Sequence, residues 1–201
     1  DVASSPVQFG QVSRPGDIKY KDLNHDGVID SNDQAPIGYN PVPEMTFSLA
    51  AGLNWKGIDF SILLQGAARS SIYLQQDIAW DNFWGNYYEE HIGRWTPETA
   101  ATATYPRFTK AATAAHPNYY KSDYWLKDSK YLRLKNIQLG YTIPRKLFKK
   151  FGVRSLRVYA NAYNLFTWDN VKKVDPESSN NSNGQFYPQQ KVINFGINLN
   201  F

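Results

Sequence analysis

The sequence predicts an all-β chain whose strands form one segment of an antiparallel transmembrane β-barrel. Three observations support this prediction: the strand candidates alternate apolar and polar residues, aromatic residues are abundant, and short turns alternate with long connectors. In a membrane barrel the alternation separates a lipid face from a lumen face. Aromatic residues form girdles at the two interfaces, and short turns and long loops lie on opposite sides of the membrane.

The clearest strand is the last one, at residues 191–201. From Ile193 onward its odd-numbered positions are apolar and its even-numbered positions are asparagine or glycine. Because successive side chains of a strand point to opposite faces, one face is apolar and the other is polar. An amphipathic strand of a soluble β-sandwich has the same period, so this strand alone leaves both folds open.

Four further strands are predicted upstream. Residues 45–55 and 58–65 alternate in the same way and are joined by a tight turn, which predicts a hairpin. A third strand is predicted at 131–141, where the apolar residues change parity, and a β-bulge near Asn136 would restore one apolar face. A fourth is predicted at 155–166, although its pattern does not show which face is polar.

The connectors between these strands differ greatly in length. The short ones are 54–57 and 142–153, the second with room for one helical turn, and the long ones are 66–130 and 167–190. If residue 201 lies on the periplasmic side, both short connectors lie there and both long ones lie outside. We therefore expect an extracellular segment at 1–44 and barrel strands with long extracellular loops at 45–201. Five strands cannot close, and an open edge cannot face lipid, so the remainder of a larger barrel is expected to complete the wall.

Composition excludes several other classes of protein. The chain has 14 Tyr, 11 Phe and 6 Trp, but no Cys, and its net charge is +4. No stretch approaches the roughly 18 apolar residues of a transmembrane helix. The basic residues are scattered apart from a cluster at 145–150, so no nucleic-acid partner is expected. The lack of Cys excludes disulfides and thiolate metal sites.

The sequence also argues against an enzyme. Glu89 and Glu90 are adjacent, so in a strand they would face opposite ways, and no carboxylate pair has glycosidase spacing. His25, His91 and His116 lack zinc-ligand spacing. No Gly-x-Ser-x-Gly nucleophile motif occurs.

An acidic loop at residues 22–33 matches much of the twelve-residue calcium loop. Gly27 falls at the sixth position, where a sharp turn is needed, while Asp33 replaces the usual longer Glu at the twelfth. The expected oxygen ligands are Asp22, Asn24, Asp26, the Val28 carbonyl, Asp30 directly or through water, and Asp33. No long helices flank the loop, so a structural Ca²⁺ is expected rather than a calcium sensor. The alternative is an Asx-rich turn without an ion.

The first long connector is rich in aromatic residues. Such side chains can stack on sugar rings or anchor a partner protein. The candidates for contact with a substrate or partner are Trp80, Phe83, Trp84, Tyr87 and Tyr88. The alternative is that these residues pack the loop against itself or mark the membrane boundary.

Several blocks of sequence, taken in order, resemble one family. The similar segments are residues 16–20, 37–38, 94–98, 105–107, 122–126, 131–137, 139–141, 164–167, 175–177 and 187–189. Together with the terminal strand they resemble the C-terminal part of the SusC/RagA-type TonB-dependent transporters of Bacteroidota outer membranes. A TonB box, a plug domain and the first strands of the barrel are not found in this sequence.

The resemblance implies a 22-stranded barrel with a plugged lumen. It also implies a Gram-negative outer-membrane location, a SusD-like surface lipoprotein, TonB-driven import of oligosaccharides or oligopeptides, and contact with lipid or lipopolysaccharide. TonB would act through the N-terminal part of such a transporter. The alternative reading is a secreted, calcium-stabilised β-sandwich that binds carbohydrate.

Overall fold

The computed structural model describes residues 2–81, 85–110, 115–147, 152–172, 174–178 and 187–201. These residues form two compact units. We call residues 39–72, 128–178 and 187–201 the sheet unit, and residues 2–38 and 73–127 the loop unit.

Strands are the main regular secondary structure of the described residues. They are β1 Val7–Gln8, β2 Val28–Ile29, β3 Met45–Trp55, β4 Ile58–Ala68, β5 Ser71–Tyr73, β6 Leu126–Asp128, β7 Tyr131–Ile143, β8 Ser155–Asp169 and β9 Val192–Asn200. Short 3-10 helices lie at Val2–Ser4, Gln76–Ile78, Glu89–Gly93, Pro117–Tyr119 and Arg145–Leu147. Within the described ranges, no helix is long and apolar enough to cross a membrane.

The sheet unit is built on one five-stranded sheet in the order β3-β4-β7-β8-β9, with every neighbouring pair antiparallel. All five predicted strands are confirmed, and β4, β7 and β8 continue beyond their predicted ends. Lys56 and Gly57 both have positive φ, at 48° and 88°, as a two-residue hairpin turn requires. The predicted helical turn in the connector 142–153 is present as the 3-10 helix Arg145–Leu147.

The predicted β-bulge is also present. Ile137 pairs with Ile62 and Leu134 pairs with Leu64, so β7 contains one more residue than β4, at Lys135. The extra residue lets side chains of opposite sequence parity share one face.

With the bulge in place, one face of the sheet is apolar across all five strands. In β8 this face carries Val158, Ala160 and Ala162, because they pair with Tyr141, Leu139 and Ile137 of β7. The opposite face of β8 therefore carries Arg157, Tyr159 and Asn161, which resolves what the pattern of this strand left open. The outward apolar side chains are strongly exposed. They include Leu49, Leu53, Leu139, Phe195 and Ile197.

The sheet has two free edges. Among the described residues, no strand pairs with the outer edge of β3 or of β9, and the other sheets are the two-stranded pairs β1-β2 and β5-β6. Within the described ranges, the five-stranded sheet thus has no second sheet of comparable size to form a sandwich. It has the architecture of an open segment of barrel wall.

The loop unit has its own core. Its buried side chains are mostly aromatic and aliphatic. They include Ile29, Leu74, Trp80, Tyr105, Tyr119 and Trp125. Buried polar side chains accompany them, namely Gln8, Asp81, His91 and Asn118. Gln8 donates to Ser13 Oγ and the Ile18 carbonyl and accepts from the Tyr20 N–H, so its amide is satisfied.

Candidate functional site

Three of the family-like blocks, 16–20, 94–98 and 105–107, meet at Gly16 and Asp17 in the loop unit. Its carboxylate lies 2.6 Å from Nε of Arg107 and accepts a hydrogen bond from Nδ2 of Asn118 at 3.1 Å. The Ile18 N–H donates back to Oδ1 of Asn118 at 2.9 Å. Because the Asp17 side chain is 7% exposed, the charge pair is shielded from water. Asp17 therefore ties together segments that are about 90 to 100 residues apart in the chain.

Gly16 allows this junction to close. Its φ is +84°, and a Cβ there would lie 2.5 Å from the Trp95 ring. The Arg107 N–H donates to the Gly16 carbonyl at 2.8 Å, and the Trp95 N–H donates to the Tyr105 carbonyl at 2.9 Å. Only glycine satisfies both the backbone conformation and the close contact.

Tyr20 adds a third attachment at the same place. Its hydroxyl donates to the Pro117 carbonyl at 2.7 Å, and Phe9 packs edge-on against its ring. Burial raises the pKa of Tyr20 to about 12, so the hydroxyl stays protonated and keeps donating across the physiological range.

A second buried acid, Asp81, organises the aromatic core. Its carboxylate accepts from the hydroxyls of Tyr105 and Tyr119 and from the Thr109 N–H. Burial raises the pKa of both tyrosines, which keeps both hydroxyls as donors. Trp80 lies beside this network, 4.8 Å from the Tyr119 ring centroid and 3% exposed. The structure thus places the first predicted contact residue inside the core of the loop unit.

Tyr87 and Tyr88 reach the surface, with 56% and 38% of their area exposed. Tyr87 lies 5.5 Å from the Phe108 ring, and the Tyr88 N–H donates to Nδ1 of the buried His91 at 3.0 Å. Burial raises the pKa of Tyr88, so its hydroxyl remains a neutral donor. Phe83 and Trp84 lie outside the described residues. Of the five predicted contact residues, Tyr87 and Tyr88 are the ones the structure shows at the surface.

The acidic loop is folded around its own carboxylates. Asp22 accepts from the N–H groups of His25 and Gly27, at 2.6 and 2.9 Å. Asp33 accepts from Leu23 at 2.7 Å and from Asp30 at 2.9 Å, which closes the loop on itself. These backbone donors hold the pKa of Asp33 below its usual range.

The remaining side chains of this loop also bond locally. Asn24 and Asp26 bond to each other, Asp26 accepts from the Val28 N–H, and Asp30 accepts from the Asn32 N–H. In the part of the chain that the structure describes, no three His, Asp or Glu side chains are grouped as metal ligands. The structure therefore brings the predicted ligands into one compact loop in which the carboxylates bond to backbone N–H groups.

The polar face of the sheet carries an ion pair that spans three strands. Arg157 on β8 binds Asp59 on β4 through Nε–Oδ1 at 2.9 Å and Nη2–Oδ2 at 2.5 Å. Its guanidinium also lies 4.8 Å from the Tyr159 ring centroid. Tyr159 in turn covers Gly196 of β9, where a Cβ would collide with the phenol ring. This face is therefore organised by packed polar and aromatic side chains.

A buried arginine organises the other end of the sheet unit. Arg133, 2% exposed, donates to Asp175 and Glu177 at 2.8 Å each and to Thr167 Oγ1 at 3.0 Å. Glu177 also accepts from Tyr131. Four more of the family-like blocks, at 131–137, 164–167, 175–177 and 187–189, meet here, since Gln189 also donates to Glu177.

Sequence reasoning missed both arginine sites. Arg133 and Arg157 interact with acids about 40 and 98 residues away, and no local pattern reveals such a pairing. The available signal was an arginine on a strand together with the family-like block at 175–177, whose two acids could pair with it.

Comparison with known proteins identifies the chain's relatives. A TonB-dependent receptor of Formosa agariphila is 30% identical over 92% of this chain, and the TonB-dependent receptor SusC of Bacteroides thetaiotaomicron is 25% identical over 96%. No family model matches. The chain spans about one fifth of the length of these relatives. These relatives are receptors rather than enzymes, which agrees with the prediction that this chain is not an enzyme.

Solved structures agree on the fold. The RagAB peptide transporter superposes with a TM-score of 0.63 at 24% identity, covering 87% of this chain and 20% of that one. RagAB in its closed-closed state superposes with a TM-score of 0.65 at 23% identity over 89% of this chain. The five-stranded antiparallel sheet, with one apolar and one polar face, is thus a segment of transmembrane barrel wall. By sequence and by fold, the chain matches one part of the TonB-dependent receptors of the SusC and RagA type.

Proposed function

We propose that this chain acts as part of an outer-membrane nutrient importer that is energised through TonB. The observation that carries the proposal is the sheet itself, whose apolar face is continuous across five strands while its opposite face holds an ordered ion pair. An apolar face suits lipid, and a polar face suits the lumen of a barrel. The receptor relatives support the same function.

We further propose that the working assembly includes a plug and the remaining barrel strands, a SusD-like surface lipoprotein, and an oligosaccharide or oligopeptide substrate. Outer-membrane lipid or lipopolysaccharide would surround the barrel, and the loop unit would lie on the extracellular side. The loop unit suits a role in recognition because it has its own core and presents Tyr87 and Tyr88 at its surface. A rigid base lowers the entropy cost of holding exposed aromatic side chains for a ligand.

Import is tested with the complete receptor gene in its native host. Deletion is expected to abolish growth on one class of oligomeric nutrient, and the purified receptor is expected to carry a lipoprotein partner identified by mass spectrometry. Growth of the deletion strain on every oligosaccharide and oligopeptide source that the parent strain uses would overturn the proposal.

The aromatic surface is tested separately. Tyr87→Ala with Tyr88→Ala is expected to weaken substrate or lipoprotein binding at least about tenfold, as for aromatic contact residues. Tyr39→Ala, which removes an exposed tyrosine outside the loop unit, serves as the matched control. Equal binding by the double variant and the control would remove these two tyrosines from the site.

We also propose that Ca²⁺ stiffens the acidic loop through Asp22, Asn24, Asp26, Asp30, Asp33 and the Val28 carbonyl. The donor set consists of oxygen atoms, and Gly27, with φ +84°, provides the sharp turn that such a loop needs. Calorimetry on the intact receptor is expected to show Ca²⁺ uptake that Asp22→Asn combined with Asp26→Asn removes. Unchanged uptake in this variant would place the ion elsewhere, and no uptake by either protein would leave an ion-free turn.

A further inference from the structure

One end of the five-stranded sheet carries a group of basic side chains. This is the end formed by the turn after β3, the connector after β7 and the last residues of β9. Its described basic residues are Lys56, Arg145, Lys146 and Arg154, all of them exposed. We call this group the basic rim.

The strand registers place these residues on one side of the sheet unit. Trp55 pairs with Ile58, Ile58 pairs with Tyr141, and the Thr142 N–H donates to the Gly57 carbonyl at 2.7 Å. On the other side of β8, the Arg154 N–H donates to the Asn200 carbonyl at 2.8 Å. The hairpin turn, the connector and the end of β9 therefore form one continuous border.

The charges of the basic rim are not balanced by acids. No Asp or Glu occurs between residues 142 and 158 or between 190 and 201, and Lys149 and Lys150 add to the positive charge of this stretch. The nearest acid in the adjoining hairpin, Asp59, is occupied by Arg157. Among the described residues, none of the four basic side chains has an acidic partner within ion-pair distance.

The opposite end of the sheet differs in this respect. There, described basic side chains have acidic partners: Arg69 with Glu44 at 3.8 Å, Lys130 with Asp128 at 2.9 Å, and Arg133 with two acids at 2.8 Å. Three basic side chains at that end are thus paired with acids, whereas none of the four side chains of the basic rim has such a pair among the described residues.

The basic rim directly borders the apolar face. Trp55 ends the apolar row of β3 with 60% of its area exposed, and Nζ of Lys56 lies 4.8 Å from its ring centroid. Leu147, 68% exposed, follows Arg145 and Lys146. A tryptophan beside a lysine at the limit of an apolar band is the arrangement expected where hydrocarbon gives way to lipid headgroups.

We propose that the basic rim binds the phosphate groups of anionic phospholipid headgroups. The ammonium and guanidinium groups would pair with lipid phosphates while Trp55 and Leu147 enter the boundary with the acyl chains. Each basic residue near an anionic surface contributes roughly a fivefold preference, so four together favour anionic over zwitterionic lipid strongly. This inference rests on the membrane placement in the proposed function and is independent of what is imported.

The test uses the complete receptor purified in mild detergent. Retention of phosphatidylglycerol relative to phosphatidylcholine is measured by native mass spectrometry, and inorganic phosphate is added as a competitor. The rim variant combines Lys56→Gln, Arg145→Gln, Lys146→Gln and Arg154→Gln. The control combines Lys21→Gln, Lys110→Gln, Lys121→Gln and Lys172→Gln, which removes four exposed charges elsewhere.

The native protein and the control are expected to prefer phosphatidylglycerol, and the rim variant to lose at least about tenfold of that preference. Heat-modifiable migration on gels verifies that both variants keep a folded barrel. An unchanged preference in the rim variant, an equal loss in the control, or displacement of the lipid by free phosphate would overturn the proposal. Loss of an acidic protein partner with lipid preference intact would assign the rim to that protein instead. Absence of the native receptor from outer membranes would instead refute the proposed function.

Discussion

Arg157 on β8 reaches over Gly140 on β7 to bind Asp59 on β4. A Cβ at position 140 would lie 2.5 Å from both the guanidinium and the carboxylate, so glycine keeps the path between the two charges open. Asp59 and Arg157 are 98 residues apart, and their bond holds three neighbouring strands together on the polar face.

Replacing Gly140 is therefore expected to break this pair. Gly140→Ala should lower the free energy of unfolding by up to about 1 kcal/mol, since the charge-assisted bond of a partly exposed pair is displaced. The temperature at which the intact receptor loses its heat-modifiable gel shift measures the effect. Gly52→Ala is the matched control, because the nearest atom to its Cβ is at an ordinary 3.5 Å. If both variants lose the gel shift at the same midpoint temperature, this account is contradicted.

Arg133 is expected to be the most sensitive position in the sheet unit. Arg133→Leu leaves Asp175 and Glu177 without their main cation, which should cost about 3–5 kcal/mol. Lys135 is 30% exposed, and its Nζ lies 3.6 Å from Glu177. Lys135→Gln should therefore lower the free energy of unfolding by less than about 1 kcal/mol. Limited proteolysis of the connector between β8 and β9 reports the difference. Equal cleavage rates for Arg133→Leu and the native protein would show that Arg133 does not anchor this connector.

Substitutions at Gly16 and Gly10 separate the cost of backbone strain from the cost of a steric collision. Both have positive φ, at 84° and 74°, so alanine at either position should cost about 1–2 kcal/mol. Only at position 16 does the new Cβ also collide with Trp95. Gly16→Ala should therefore speed hydrogen exchange in residues 93–108 more than Gly10→Ala does. Similar exchange in both variants would mean that backbone conformation alone accounts for Gly16.

His116 is expected to make the loop unit sensitive to acid. Burial lowers its pKa below the usual 6.5, with Arg107 adding to the shift and Asp17 opposing it. Its Nδ1 accepts from the Asn118 N–H at 3.1 Å, which requires that this nitrogen carry no proton. The unfolded chain therefore binds more protons, and the stability that His116 contributes is present above about pH 6.5 and lost as the pH falls through the folded pKa.

His116→Asn should remove this dependence, because asparagine can accept the same N–H without titrating. Hydrogen exchange of residues 115–120 is compared at about pH 5 and about pH 7.5, after correction for intrinsic rates. The native protein should lose protection at the lower pH, and the variant should not. Equal losses in both would assign the acid sensitivity to another group.

The strands were predictable because one face must be apolar along their whole length. This rule located β3, β7 and β9. It also predicted a bulge near Asn136, which the structure has at Lys135, since two parities in one strand can share a face only with an extra residue. It did not locate the contacts of Asp17, Asp81 or Arg133, because those partners come together only when distant segments fold. Nor does the abundance of aromatic residues distinguish Trp80, which is buried, from Tyr87, which is exposed.

The open edges of β3 and β9 have a consequence in a bilayer. Along each edge, a row of backbone donors and acceptors has no strand partner among the described residues. In hydrocarbon each such group left unpaired costs several kcal/mol. A stable position of this sheet in a bilayer therefore requires that both edges pair with further strands.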